Sequence, residues 1–164
     1  MKKIIRIVKQ LILHFEQFDI NKNNFFNIYG ERFDLCNLLH IAVKKNDISF
    51  AKFLLSQHAN INAKDNHGNT PIHFVSDIKM LDFLLEKGAN INTYNGLGEN
   101  LLHIAVEADN IELVKKLLNL GMDINAKTLN DNILYSIADE IPHDFLVTFG
   151  ISHYIDNIFN PCIF

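Results

Sequence analysis

An all-α solenoid of about four helix-turn-helix repeats, with projecting turns and a helical cap at each end, is the fold this sequence predicts. Three observations predict it. A short phrase recurs as NLLHIAV from Asn37, TPIHFV from Thr70, NLLHIAV from Asn100 and NILYSIA from Asn132; its fourth residues, His40, His73, His103 and Tyr135, stand 33, 30 and 32 residues apart. A second phrase follows each first one: FLLSQHANINA from Phe53, FLLEKGANINT from Phe83, KLLNLGMDINA from Lys116 and a fading FLVTFGIS from Phe145. The chain of 164 residues is also 48% hydrophobic and 21% charged, a balance that can fill a core and argues against disorder.

Each element follows in order along the chain. IRIVKQLI from Ile5 aligns with IELVKKLL from Ile111, so residues 5–18 read as the outer helix of a degenerate half-repeat, joined by an enlarged loop, 21–36, to the first full unit. Residues 1–36 thus form an N-terminal cap, 37–150 hold four repeats (37–69, 70–99, 100–131 and 132–150), and 151–164 form a second cap. Asn37, Thr70, Asn100 and Asn132 open the first helices with side chains that accept from free amides, and Pro71 suits a first helical position. Asp47, Asp77 and Asn110 open the second helices. Gly88, Gly121 and Gly150 end them where a left-handed residue is favoured; His58 holds that place in the first unit, where the cap is expected to be weaker. The second and fourth units are short between their helices, with 11 residues from His73 to Leu84 against 14 from His103 to Leu117, which predicts a shortened first helix or a tighter inter-helix turn. Pro142 and Tyr135 mark the fourth unit as the most divergent. Beyond it, Ile151, Tyr154, Ile155, Ile158 and Phe159 recur on one helical face, as a capping helix over the last repeat requires.

The repeated phrases resemble the ankyrin repeat family, whose pattern runs D-x-x-G-x-T-P-L-H-x-A, a Leu-Leu pair, then G-A-D-x-N-A. Asp65, Gly68, Thr70, Pro71, Ile72 and His73 match the first part, and Ala59 to Ala63, Ala89 to Asn92 and, more loosely, Met122 to Ala126 match the last. The resemblance covers about 37–150. It implies that the repeated histidine bonds the hydroxyl at the threonine position and a backbone carbonyl, tying turn to helix. It also implies that a protein partner lies along turn tips and the exposed side of the first helices.

Charge and cysteines narrow the classes further. A net charge of −4 argues against non-specific nucleic-acid binding, which needs a basic surface. Cys36 and Cys162 form neither a Cys-x-x-Cys pair nor a disulfide framework and read as free thiols in a reducing compartment. Arg6 and Lys9 break the first apolar run, so no signal peptide or membrane span is expected, and the expected location is cytoplasmic.

Candidate chemistry reduces to histidines. Successive repeats lie about 10 Å apart, whereas zinc ligands sit about 2 Å from one ion, so His40, His73 and His103 cannot share a metal. His67 lies on a projecting turn, where partner contact or solvent exposure outweighs catalysis. Asp139 and Glu140 are sequence neighbours that point apart. There is no nucleophile elbow, phosphate-cradling loop or His-Glu-x-x-His. The expectation is therefore a non-enzyme with no cofactor and no metal site.

The binding reading names residues. The resemblance implicates Lys64, Asn66, His67 and Asn69 on one turn, Tyr94, Leu97 and Glu99 on the next, and Lys127, Leu129 and Asp131 on the third. Lys44, Lys45 and Glu107 follow the first helices on the same side. Tyr94 and Leu97 stand out, because turn tips are normally polar and an aromatic beside an aliphatic has the composition of an interface centre. The expected function is a protein-binding adaptor or inhibitor, monomeric, contacting neither nucleic acid nor membrane. The alternative is an assembly protein that self-associates through its apolar tail, 151–164. Abundant Asn, Ile, Lys and Phe without Trp suit an AT-rich genome. Ankyrin proteins of that composition extend the expectation to a host-directed role.

Overall fold

The computed structural model describes residues 38–123 and 126, together with Arg6, which is helical, and the backbone of two short strands, β1 (Phe25–Ile28) and β2 (Glu31–Asp34). The rest of the expected N-terminal helix 5–18, the fourth repeat 132–150 and the C-terminal cap 151–164 lie outside the described residues. The strands correct the all-α expectation at one place. Segment 21–36, expected as a loop, carries an antiparallel hairpin with Phe25 opposite Asp34 and Ile28 opposite Glu31. Only Tyr29 and Gly30 separate two runs that hold Phe25, Phe26, Ile28 and Phe33, a pattern that favours a tight hairpin over a loop. The helical repeat period carries no information about such a stretch.

Three helix pairs follow. They are α1 (Leu38–Lys44) with α2 (Ile48–Ser56), a single 3-10 turn (Pro71–Phe74) with α3 (Ile78–Glu86), and α4 (Leu101–Glu107) with α5 (Ile111–Asn119). The second helices start where their capping side chains dictate. Asp47 Oδ1 accepts from the Phe50 amide at 2.8 Å, Asp77 Oδ1 from Lys79 at 2.8 Å, and Asn110 Oδ1 from Leu113 at 3.1 Å. Each such cap is worth about 1 kcal/mol. The second helices end at His58, Gly88 and Gly121, with φ of 65°, 88° and 85°, so His58 adopts a left-handed backbone that glycine takes at lower cost.

The missing residues of the second unit shorten its first helix. α1 and α4 run seven residues and leave through left-handed Asn46 and Asp109, whereas the 3-10 turn stops after four residues at an extended Val75. The connector to the second helix is three residues long in all three pairs, so of the two expected ways of absorbing the deletion the shortened helix alone is realised.

One core runs through the stack. Leu38, Leu39, Ala42 and Val43 of α1, Ile72 of the 3-10 turn, and Leu101, Leu102, Ala105 and Val106 of α4 are buried on the inner layer. Phe50, Ala51 and Leu54, then Met80, Leu81 and Leu84, then Leu113, Val114, Leu117 and Leu118 are buried from the outer layer. Of the leucine pairs, Leu117 and Leu118 are both fully buried, while Leu55 and Leu85 are partly buried against the core. Each buried leucine stabilises by about 1.5–3 kcal/mol relative to exposure. Truncation of Leu84 to alanine would therefore cost about 2–5 kcal/mol once the cavity is counted.

Candidate functional site

The projecting turns are the surface on which the expected binding residues gather, and their rigidity comes from a few short polar side chains. In the first described turn, Asp65 Oδ1 accepts the amides of His67 and Asn69, both at 2.8 Å, and its Oδ2 accepts Asn69 Nδ2 at 3.1 Å. In the next turn Asn95 repeats the role, its Oδ1 accepting the amides of Leu97 and Glu99, both at 2.9 Å. Asn95 Nδ2 then donates to Glu99 Oε2 at 2.8 Å and, across the gap between turns, to Asn69 Oδ1 at 3.1 Å. The result is a continuous ladder, Asp65, Asn69, Asn95, Glu99, in which every donor faces an acceptor. Burial alone would raise the Asp65 carboxyl, but bonds from the Asn69 side chain and from the Asn69 and His67 amides, with His40 nearby, hold it below its ordinary value.

Further bonds lock turn to turn. The Gly96 amide donates to His67 O at 2.7 Å, the Asn90 amide to Asn62 Oδ1 at 2.9 Å, and Lys64 Nζ to Tyr94 O at 3.3 Å. Behind the turns the expected tie from histidine to a turn carbonyl is made by His40 and His103 and not by His73. His40 Nε2 donates to Asn69 O at 3.0 Å and His103 Nε2 to Ala126 O at 2.9 Å, so each reaches the turn that follows its own helix pair. His73 Nδ1 accepts the Thr70 amide at 3.1 Å and the Thr70 hydroxyl at 2.9 Å. Its proton therefore sits on Nε2, which is buried and has no acceptor in bonding geometry, although the Thr93 and Glu99 carbonyls lie close enough to favour a charged ring. Burial prevails over those carbonyls and that of Thr70, and with a small contribution from Lys64 it holds the imidazole below the ordinary histidine value.

The expected binding residues divide by environment. Lys44, Lys45, Lys64, Asn66, His67, Tyr94, Leu97 and Glu107 are exposed. Asn69 and Glu99 are only partly exposed, and their side chains are committed to the ladder, so they shape the turns. Lys44 Nζ lies 5.8 Å from the Phe74 ring centroid, and that ring meets His40 edge-on at 5.7 Å. Tyr94 and Leu97 are 47% and 56% exposed. Lys127, Leu129 and Asp131 lie outside the described residues.

An open cleft of about 570 Å³ runs between the tips, lined by Asn66, His67, Asn69, Asn95, Leu97 and Ile104 among others. Ile104 was not among the expected residues. It, Phe74 and Ile41 each follow the repeated histidine and are partly exposed, outside the buried stripe of their helices. The sequence signal for them was an apolar residue one position beyond the histidine, where the core pattern does not require one.

Among the described residues, no group of three or more His, Cys, Asp or Glu side chains could hold a metal ion, and no helix is long and apolar enough to cross a membrane. No curated protein matches the chain. A family model described as ankyrin repeats (3 copies) matches residues 2–95 and again 39–128, most of the length. With helix pairs stacked in register and turns joined tip to tip, that match places the protein: the chain belongs to the ankyrin repeat family.

Proposed function

We propose that this protein is a non-catalytic binding module that holds a protein partner across its turn tips and the exposed side of its first helices. Ankyrin repeats are in general protein-interaction modules, which supports the class. The observation that carries the reading here is the exposure of Tyr94 and Leu97 on a turn whose backbone is fixed by Asn95. Such side chains bring apolar area to an interface while their backbone has little freedom left to lose. Lys64, Asn66 and His67 flank them, Lys44, Lys45 and Glu107 continue the surface, and Lys127, Leu129 and Asp131 extend it along the third turn. In this reading the chain acts as a monomer without a cofactor.

The test compares two variants of equal fold stability. Tyr94, Leu97 and Lys64 are replaced together by alanine, and in the control Glu86 and Lys87, an exposed pair at the end of α3, are replaced instead. Proteins captured by the parent chain from lysates are identified, and their affinities are then measured one by one. Loss from the triple variant alone supports the reading; unchanged affinity of every partner refutes the surface. A parent chain that is dimeric in solution until 151–164 is removed would favour self-assembly instead.

A further inference from the structure

Asn95 and Gly96 form the one Asn-Gly pair in the chain, and they sit at the centre of the turn ladder. A backbone nitrogen that follows asparagine can attack the side-chain carbonyl carbon, and glycine offers no side chain to hinder it. Here glycine is required for packing, because a Cβ on Gly96 would stand 2.8 Å from His67 O. The close approach of the two turns therefore places a chemically vulnerable pair where no other residue would fit.

We propose that Asn95 is a site of spontaneous deamidation, held in check by the closed turn pair and released when that pair opens. The Gly96 nitrogen bonds to Asn95 Cγ and loses its proton, the side-chain nitrogen leaves as ammonia, and a five-membered succinimide closes. Solvent water then opens the ring at either carbonyl, giving aspartate or isoaspartate; the net change is water in and ammonia out.

The closed structure opposes each part of this step. The Gly96 amide is engaged by His67 O at 2.7 Å. Asn95 Oδ1 is held by the Leu97 and Glu99 amides, and Nδ2 by Asn69 Oδ1 and Glu99 Oε2, so Cγ cannot swing onto the Gly96 nitrogen until these bonds part.

Reaction would leave the turn pair open. At the preceding turn Asp65 is tolerated because its Oδ2 faces the Asn69 amide nitrogen. An aspartate at 95 would instead set a carboxylate oxygen against Glu99 Oε2, 2.8 Å from the present nitrogen, and against Asn69 Oδ1 at 3.1 Å. The like charge at Glu99 strains the turn itself, and the paired acceptors at Asn69 push the two turns apart. Isoaspartate would lengthen the backbone of the same turn. The site does not depend on the binding reading, although Tyr94 and Leu97 flank it and would be displaced with it.

The full chain is held at one temperature and mildly alkaline pH, native or in urea, and Asn95 is followed by peptide mass spectrometry. In urea Asn95 should convert ahead of every other asparagine, and in the native chain about a hundredfold more slowly, as several hydrogen bonds of ordinary net strength require. Equal rates in the two states, or another asparagine leading in urea, would overturn the proposal. The Asn95→Asp variant supplies a second measurement, with a lowered melting temperature and faster Gly96 amide exchange expected. A variant unchanged in both would refute the claim that modification opens the turn pair.

Discussion

The Gly96 amide donates to the His67 carbonyl at 2.7 Å, joining the tips of two successive turns main chain to main chain. Side chains could not be interposed, since a Cβ on Gly68 would stand 2.8 Å from the Gly96 nitrogen and one on Gly96 2.8 Å from His67 O. The separation of Asn66 and His67 from Tyr94 and Leu97 is thus set by backbone contact. Partner contacts presented at a fixed spacing follow from that.

Gly96→Ala tests this contact. It should cost about 0.5–1.5 kcal/mol for the lost hydrogen bond between two exposed tips, and it should displace the turns. Gly88 supplies the comparison: a Cβ there meets nothing within 4 Å, but φ is 88°, so Gly88→Ala should cost about 1–2 kcal/mol through backbone strain alone. Urea unfolding gives the two costs, and amide exchange at His67 and residue 96 separates their causes. Faster exchange at the tips in Gly88→Ala and not in Gly96→Ala would contradict the assignment.

His73 and His67 offer a sharper contrast. His73→Ala strips the Thr70 amide and hydroxyl of their shared acceptor and opens a cavity, for an expected loss of about 2–4 kcal/mol. His67→Ala removes an exposed ring and should change stability by no more than about 0.5 kcal/mol. An unfolding curve unmoved by His73→Ala would show that the ring is not a structural tie.

How far these roles were legible in the sequence depends on whether they repeat. The period of the phrases revealed the helix pairs, their caps at Asp47, Asp77 and Asn110, and the left-handed ends at Gly88 and Gly121, because each is a local demand of one element. The hairpin at Phe25–Ile28 and Glu31–Asp34 was missed because it has no counterpart in the repeats. Asn69 and Glu99 have the composition of contact residues, and their side chains bond Asp65 and Asn95. A solvent-facing position and a position facing the next turn have the same polar composition, and only the stacking of repeats tells them apart. Ile104 was overlooked for the converse reason: an apolar residue in an amphipathic helix is assigned to the core unless the helix rotation is known.

Acid should weaken the first and second repeats, through Asp65 and His73 respectively. Burial depresses the His73 ring in the folded chain, so its contribution is complete above the unfolded value of about 6.5 and is lost as pH falls through the lower folded value. Asp65 is likewise depressed, here by its hydrogen bonds against burial; its contribution is present above about 4 and is lost as pH falls through its own lower folded value. Both slopes have the same sign, stability rising with pH. Unfolding free energies at a series of pH values should show the upper step vanish in His73→Ala and the lower one in Asp65→Asn. An upper step of undiminished size without His73 would assign it to another group.

Asn100→Thr should stabilise the third repeat. His103 Nε2 lies 2.9 Å from Ala126 O, and a carbonyl can only accept, so Nε2 donates. On the neutral ring that leaves a lone pair at Nδ1, which accepts the Asn100 amide at 3.2 Å but also faces Asn100 Oδ1, another acceptor, at 2.7 Å. At the same place in the second repeat the Thr70 hydroxyl stands 2.9 Å from His73 Nδ1 and can donate to it. A threonine at position 100 would exchange an acceptor facing an acceptor for a hydrogen bond, a gain of about 1 kcal/mol. Against this, threonine is a slightly poorer helix cap than asparagine, by no more than a few tenths of a kcal/mol, so the hydrogen bond should decide the sign. The reverse change, Thr70→Asn, should destabilise by a similar amount. Urea midpoints of the two single variants give the answer, and a neutral or destabilising Asn100→Thr would mean that the Asn100 and His103 side chains are already matched.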